Sequence, residues 1–339
     1  MHNHGNRVFG LFSLFVFAGL ILTIASTVSA QAVGSSRGLA SSGGSHMIQG
    51  RIHFPSGQAV SGTTVKVRLE SVSAFENMQT VADQDGVFRF TNLTAGSYTV
   101  VVDAGPEFET ARESINIDRE VSPGGRSVQV SIQLRPKVDA KNPLFANVPD
   151  TALKFYQKGS EAAHKGDAKA AAESLAAAVK AYPNFPIALS ELGTQYLILK
   201  QMDKAGETFE ALLKLKPEDP AAHQNLGIVA FNQKKFDVAE QHLRKALDLK
   251  SQGPTAHYYL GLTFISLKRY PDAVTELEAA VSNGGENLAL AHKYLGGLYM
   301  TNPDKRQEAA NELEKYLALD PKAPEADKIK GTIKDLRKQ

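Results

Sequence analysis

The stretch LGIVAFNQKKFDVAEQHLRKAL, residues 226–247, carries the pattern that decides the fold of the larger part of this chain. It places Ala239 twelve residues after Gly227, and Leu243 four residues after Ala239. The glycine recurs every 34 residues, and once after 35, at Gly159, Gly193, Gly227, Gly261 and Gly296. The alanine recurs at Ala171, Ala205, Ala239, Ala273 and Ala309, and the large residue at Leu175, Phe209, Leu243, Leu277 and Leu313. A period of this length predicts a solenoid with one supersecondary unit per repeat.

The residue sizes in this pattern predict how each unit packs. Gly and Ala let two helix backbones approach closely, and the large apolar residue one turn after the alanine fills the remaining space. The pattern resembles the tetratricopeptide repeat, and the resemblance implies an all-α solenoid over residues 150–323. Its five repeats are predicted at 152–185, 186–219, 220–253, 254–288 and 289–323. Residues 324–339 are polar and basic, which is typical of a capping helix.

Residues 47–135 alternate between apolar and polar side chains, as in Tyr98, Val100 and Val102. This alternation, broken by turn residues, predicts about seven short strands in a small antiparallel β-sandwich. The segments Gly50-Arg51-Ile52, Asp85-Gly86-Val87-Phe88 and Gly96-Ser97-Tyr98 resemble the carboxypeptidase regulatory-like domain, a transthyretin-like β-sandwich. That resemblance implies a non-catalytic accessory module of secreted and envelope proteins. We therefore predict a multidomain chain with an N-terminal β-sandwich followed by an all-α solenoid.

The N-terminal residues have the pattern of an export signal. An apolar run over residues 8–25 follows Arg7, and Val28-Ser29-Ala30 offers small residues for cleavage. We predict a signal peptide over residues 1–30, and hence a soluble mature protein in the periplasm or outside the cell. The alternative is an uncleaved anchor, because the run approaches the roughly 20 residues that span a bilayer.

Two linkers are predicted from composition. Residues 31–46 are rich in Gly and Ser and are typical of a flexible tether. Residues 136–149 contain Pro136, Pro143 and Pro149, which predicts a shorter and stiffer connection between the sandwich and the solenoid.

Composition and motifs argue against several functional classes. The 339 residues include 38 Lys+Arg, 36 Asp+Glu and no Cys. The balanced charge gives no support to a nucleic-acid partner, and the lack of Cys excludes disulfides, thiolate metal sites and cysteine nucleophiles. We find no zinc-protease, Walker, dinucleotide or serine-triad motif. We therefore expect no enzymatic activity, no cofactor and no metal site.

Three histidines recur with the period, at His223, His257 and His292. Equivalent residues of adjacent repeats lie about 10 Å apart, the spacing of packed helices. A shared metal would need its ligands at about 2 Å. We therefore expect a packing role for these histidines.

In the family that the repeats resemble, the first helices line a concave groove for a peptide or a partner helix. Carried over by repeat position, the predicted groove contains Tyr156, Thr194, Gln224, Phe231, Tyr258, Ile265 and Lys293, with Leu197 and Met300 beside them. This largely uncharged surface favours an apolar or amphipathic segment of another protein. Part of the same stripe could instead be core between repeats.

Our main interpretation is an exported, non-enzymatic scaffold that binds a protein or peptide in this groove. The alternative is a carbohydrate- or cell-wall-binding protein that uses the β-sandwich, with the repeats as a spacer. An envelope hydrolase whose site has no recognisable motif is a third possibility.

Overall fold

A computed structural model describes residues 46–54, 65–71, 78–83, 86–117, 127–138, 142–249, 253–282 and 288–338. Within these ranges, seven β-strands are followed by eleven α-helices. The predicted signal peptide and residues 31–45 of the predicted tether lie outside the described residues. No helix in the described ranges combines the length and the hydropathy needed to cross a membrane.

The strands form the two sheets of the predicted sandwich. They are β1 (His46–His53), β2 (Lys66–Ser71), β3 (Met78–Val81), β4 (Val87–Leu93), β5 (Gly96–Asp103), β6 (Ala111–Ile117) and β7 (Ser127–Gln133). One sheet has the order β4-β1-β7 and the other has the order β3-β2-β5-β6. The predicted β-sandwich is confirmed.

The core of the sandwich lies between the sheets and follows the predicted alternation. Val67, Val100 and Val102 are fully buried, and Phe88 and Phe90 face them from the other sheet within the same apolar cluster. Gly50 is needed at its position in β1. A Cβ atom there would lie 1.7 Å from Cζ of Phe88, so only glycine lets the aromatic ring cross this strand.

One strand pair differs from the antiparallel prediction. β1 and β7 run parallel, with Ile48 opposite Val128 and Ile52 opposite Ile132. All the other strand pairs between the described strands are antiparallel. A parallel pair needs a long crossover connection, and here the other five strands supply it because β1 and β7 are the first and last strands of the domain.

The described helices form five antiparallel pairs and one final helix. They are α1 (Asp150–His164), α2 (Ala168–Ala181), α3 (Pro186–Ile198), α4 (Met202–Leu215), α5 (Pro220–Asn232), α6 (Phe236–Asp248), α7 (Pro254–Ser266), α8 (Tyr270–Ser282), α9 (Ala289–Tyr299), α10 (Arg306–Leu319) and α11 (Ala326–Arg337). The predicted close crossing is confirmed in every pair. At Gly227 of α5, for example, a Cβ atom would lie 2.5 Å from Cγ of Leu243 in α6.

The predicted linker contacts both domains through residues 136–138 and 142–149, which we call the docked linker. Pro136 forms an isolated bridge with Phe108, and the Lys137 amide donates to the Glu107 carbonyl at 2.8 Å. The Asn142 side-chain amide donates to the carbonyls of Glu107 and Lys137, each at 2.8 Å. These bonds hold the start of the docked linker to the sandwich.

The rest of the docked linker packs on the first repeat. Pro143–Phe145 forms a 3-10 helix whose Leu144 contacts the apolar cores of both domains. Phe145 is only 1% exposed, and its ring lies 5.4 Å from the ring of Tyr156 and 6.1 Å from that of Phe185. The docked linker therefore covers the N-terminal end of the solenoid core.

Candidate functional site

A row of large apolar side chains runs along the first helices of four successive pairs. It consists of Leu197 in α3, Phe231 in α5, Ile265 in α7 and Met300 directly after α9. These residues occupy the same position of their repeats, so they share one face of the solenoid. Each is partly buried and packs against the solenoid core, which leaves part of its surface accessible. We call these four residues the apolar row.

The structure places the seven predicted groove residues in different environments. Thr194 is exposed, and its hydroxyl donates to the Ser190 carbonyl at 2.9 Å. Partly exposed positions are Gln224, Phe231, Ile265 and Lys293. Tyr258 is only 7% exposed and its ring packs against that of Tyr259, so most of it is core. The assignment of these residues to a binding groove stays a prediction.

Tyr156 has no exposed surface, which is contrary to a groove-lining role. Its ring lies under Phe145 of the docked linker, and its hydroxyl donates to Oε1 of Glu191 at 2.6 Å. Burial raises the pKa of Glu191 to about 7, although hydrogen bonds from Tyr156 and Ser160 and the charge of Arg135 act in the opposite direction. Tyr156 and Glu191 are therefore committed to an internal contact between α1 and α3.

At the other end of the groove, Lys293 is also committed to an internal contact. Its ammonium pairs with the Glu325 carboxylate just before α11, and the Tyr316 hydroxyl donates to the same carboxylate at 2.8 Å. Burial acts to raise the pKa of Glu325, but the hydrogen bonds from Lys293 and Tyr316 outweigh it and hold the pKa below its usual value. The lysine therefore anchors the capping helix.

The four first helices that contribute the apolar row are almost free of charge, whereas α1 carries Asp150, Lys154, Lys158 and Glu161. In α3, α5, α7 and α9, Glu191 and Lys293 are the only Asp, Glu, Lys or Arg residues. The second helices differ, since α4 alone carries Asp203, Lys204, Glu207, Glu210 and Lys214. The charged residues of the middle repeats thus lie mainly on the second helices.

The three periodic histidines each pair with a residue of the second helix of the same hairpin. His257 Nδ1 lies 2.7 Å from Oε2 of Glu276, and His292 Nδ1 lies 2.5 Å from Oε2 of Glu312. Sequence reasoning missed these partners, although their spacings of 19 and 20 residues repeat along the chain. The histidines join the two helices of a hairpin, which agrees with the expected packing role.

In the third repeat the partner is a second histidine. His223 Nδ1 and His242 Nδ1 are 3.0 Å apart, and His223 Nε2 lies 3.1 Å from the Pro217 carbonyl oxygen. A carbonyl only accepts, so Nε2 of His223 carries the proton and, in the neutral pair, His242 Nδ1 donates to His223 Nδ1. Burial, followed by the charge of His223, lowers the pKa of His242, against a smaller opposing effect of Glu210.

Other candidate sites are weak in the described ranges. They contain no group of three or more His, Asp or Glu side chains placed to hold a metal ion. A shallow depression of about 520 Å³ lies beside Tyr299, Glu308 and Lys315, and none of the seven predicted groove residues lines it. In the described part of the sandwich, the aromatic residues Phe88, Phe90, Tyr98 and Phe108 are buried, and Phe54 is partly buried. These positions offer no exposed ring on which a sugar could stack.

Comparison with protein-family models assigns both parts of the chain. Residues 47–135 match the carboxypeptidase regulatory-like domain, and residues 156–220 and 224–287 match a tetratricopeptide repeat model. The chain carries a carboxypeptidase regulatory-like domain followed by tetratricopeptide repeats. The fifth tetratricopeptide hairpin, α9 and α10, lies beyond the matched residues but keeps the close contact between Gly296 and Leu313. The tetratricopeptide match supports a protein-interaction scaffold.

The solved structures that are similar to this chain each cover about half of it. MamA residues 41-end from Desulfovibrio magneticus RS-1 is 21% identical, with a TM-score of 0.46, over 52% of this chain and 99% of that one. YrrB, described as a TPR protein with an unusual peptide-binding site, is 18% identical, with a TM-score of 0.44, over 57% of this chain and 99% of that one. A TPR protein of Thermus thermophilus is 19% identical, with a TM-score of 0.41, over 55% of this chain and 98% of that one. A search of curated proteins finds no match.

The histidine pair predicts acid sensitivity of the third tetratricopeptide repeat. Unfolded His242 takes up a proton near pH 6.5, whereas folded His242 does so only at lower pH. The stability that this pair contributes is therefore fully present above the pKa of unfolded His242, and it is lost as the pH falls through the lowered pKa of folded His242. His242→Glu gives the third repeat the His–Glu pairing of the next two repeats. We expect its urea midpoint to fall less than that of the wild type between about pH 7.5 and about pH 5.5.

The exposed His164 in α1 provides the matched control for this prediction. His164→Gln should follow the wild-type pH dependence. An equal loss of stability in wild type and His242→Glu would show that the histidine pair does not cause the acid sensitivity.

Proposed function

We propose that this protein is an exported, non-enzymatic scaffold that binds a segment of another protein along the apolar row. The observation that carries the proposal is the row itself, in which Leu197, Phe231, Ile265 and Met300 remain partly accessible. The four first helices that contribute it, α3, α5, α7 and α9, contain only two charged residues between them. Large apolar side chains spaced along a groove are typical anchors for an extended peptide or a helix. The tetratricopeptide family match supports the same general role.

Export is proposed from the sequence of residues 1–30, which has a cation, an apolar run and a small-residue cleavage site. The carboxypeptidase regulatory-like domain supports this proposal, since such modules are common in secreted and envelope proteins.

The non-enzymatic part of the proposal rests on the two module types and on the surroundings of Glu191. Its raised pKa is of the kind found for catalytic carboxyl groups. However, its hydrogen-bond partner Tyr156 has no exposed surface and lies beneath the docked linker. The Glu191 carboxylate is partly buried and already accepts a hydrogen bond from the Tyr156 hydroxyl, so we assign Glu191 a structural role.

Site-specific photocrosslinking in cells that produce the full chain tests where a partner binds. A photoreactive amino acid in place of Thr194 lies one helical turn before Leu197 on the same face of α3. Gln241 on α6 is also exposed and serves as the control site. We expect protein adducts from position 194 and none above background from position 241. Equal adducts from both positions would contradict binding at the apolar row. The mass of the crosslinked chain also tests export, because a chain that still contains residues before Gln31 would contradict cleavage after Ala30.

A further inference from the structure

We propose that the apolar row binds an uncharged internal segment of its partner, extended and with an apolar side chain at every third residue. This inference rests on the proposed function and specifies its ligand. It excludes the carboxyl terminus of a chain as the ligand, as well as a segment that is held by charged side chains.

The first argument is electrostatic. The four helices that contribute the apolar row, α3, α5, α7 and α9, carry two charged residues, and both are satisfied within the protein. Glu191 accepts from the Tyr156 hydroxyl, and Lys293 pairs with Glu325. A buried charge on the ligand would lose its hydration without gaining an opposite charge, which is unfavourable. An uncharged ligand has no such cost.

The second argument concerns the two ends of the groove. The docked linker covers the N-terminal end through Phe145, and the residues before α11 hold Lys293 at the C-terminal end. Recognition of a free carboxylate would need an available cation in the groove. Lys293 is the only Lys or Arg of α3, α5, α7 and α9, and it already has a carboxylate partner. The ligand is therefore an internal segment that passes along the groove.

The third argument gives the spacing of the apolar anchors. Successive members of the apolar row come from the first helices of successive repeats. Among these helices, α3 contacts α5 directly and α5 contacts α7. Packed helices lie about 8–10 Å apart. An extended polyproline II-type segment rises about 3.1 Å per residue, and every third side chain points in the same direction. Side chains on one face of such a segment are therefore about 9 Å apart. In such a ligand, every third residue is apolar and its side chain contacts the apolar row.

Peptide display against the immobilised full chain tests this inference. One library presents random segments between two folded flanks, and the other presents segments of equal length with a free carboxyl end. We expect enrichment in the flanked library of uncharged peptides with apolar residues at three-residue intervals. Phe231→Ala should weaken their binding about tenfold or more, because it removes an anchor contact. Val238→Ala, an exposed apolar position on α6, is the matched control and should leave binding unchanged.

Two other results would overturn the inference in distinguishable ways. Preferential recovery of free-carboxyl peptides whose binding is lost in Lys293→Ala and in Phe231→Ala would leave the proposed function intact and contradict the internal, uncharged ligand. Recovery of no peptide whose binding depends on Phe231 would contradict both the inference and the proposed function. Native helicity of each variant has to be shown by circular dichroism before its binding is compared.

Discussion

Replacing Phe145 by Ala is expected to destabilise the solenoid by about 3–5 kcal/mol, the usual cost of removing a buried phenylalanine side chain. Phe145 is 1% exposed and packs against the rings of Tyr156 and Phe185, which also contact each other at 5.2 Å. Its loss would leave a cavity at the end of the solenoid and expose Tyr156 to water. We expect the largest rise in amide hydrogen exchange in α1 and α3, together with a lower denaturation midpoint of the helical signal of the full chain.

Phe155 provides a matched control for this substitution. It lies in α1 next to Tyr156 but is 39% exposed, so Phe155→Ala removes an aromatic ring without opening a core. We expect a change within about 0.5 kcal/mol for this variant, as for most surface substitutions. If the two variants lose similar stability, the docked linker does not cap the solenoid.

Alanine substitutions at two helical glycines are expected to have opposite effects on stability. At Gly227 the added Cβ atom would lie 2.5 Å from Cγ of Leu243 and 3.3 Å from its backbone nitrogen, so the crossing helices must move apart. We expect Gly227→Ala to cost about 1–3 kcal/mol through overpacking. At Gly206 of α4 the nearest atom, Cγ1 of Val229, is at an ordinary 3.5 Å. Gly206→Ala is therefore expected to stabilise the protein by about 0.5–1 kcal/mol through helix propensity.

Denaturant unfolding of the full chain, followed by circular dichroism, measures both effects. The close contact also predicts coupling between Gly227 and Leu243. Gly227→Ala combined with Leu243→Ala should lose less stability than the sum of the two single variants. Additive losses, or a stabilising Gly227→Ala, would mean that the close crossing does not explain the repeated glycine.

The helical repeats were predictable because their packing depends on residue size at fixed intervals. Gly227 and Leu243 show the rule, and the contact repeats in all five hairpins. The apolar row was predictable for the same reason, since Phe231 and Ile265 occupy equivalent positions. In the sandwich, side-chain alternation predicted the strands, but no local pattern reports whether two distant strands run parallel, as β1 and β7 do.

The environment at each end of the groove depends on contacts with segments that are not part of the repeats. Tyr156 occupies a groove position by register, yet Phe145 covers it from a segment whose prolines indicated only a stiff connection. Lys293 likewise has a groove position but pairs with Glu325, which belongs to the capping region. Neither contact follows from helical periodicity, because each joins a repeat to a segment with no counterpart in the other repeats.

The docked linker has a consequence for any molecule that engages both domains at once. A flexible tether would let two attachment points search many separations, so that the second contact forms over a broad range of distances at moderate effective concentration. Here Asn142 ties the connection to the sandwich and Phe145 ties it to the first repeat. The second contact would then form with a strong avidity gain for a ligand of matching span, and with none for a ligand whose span differs.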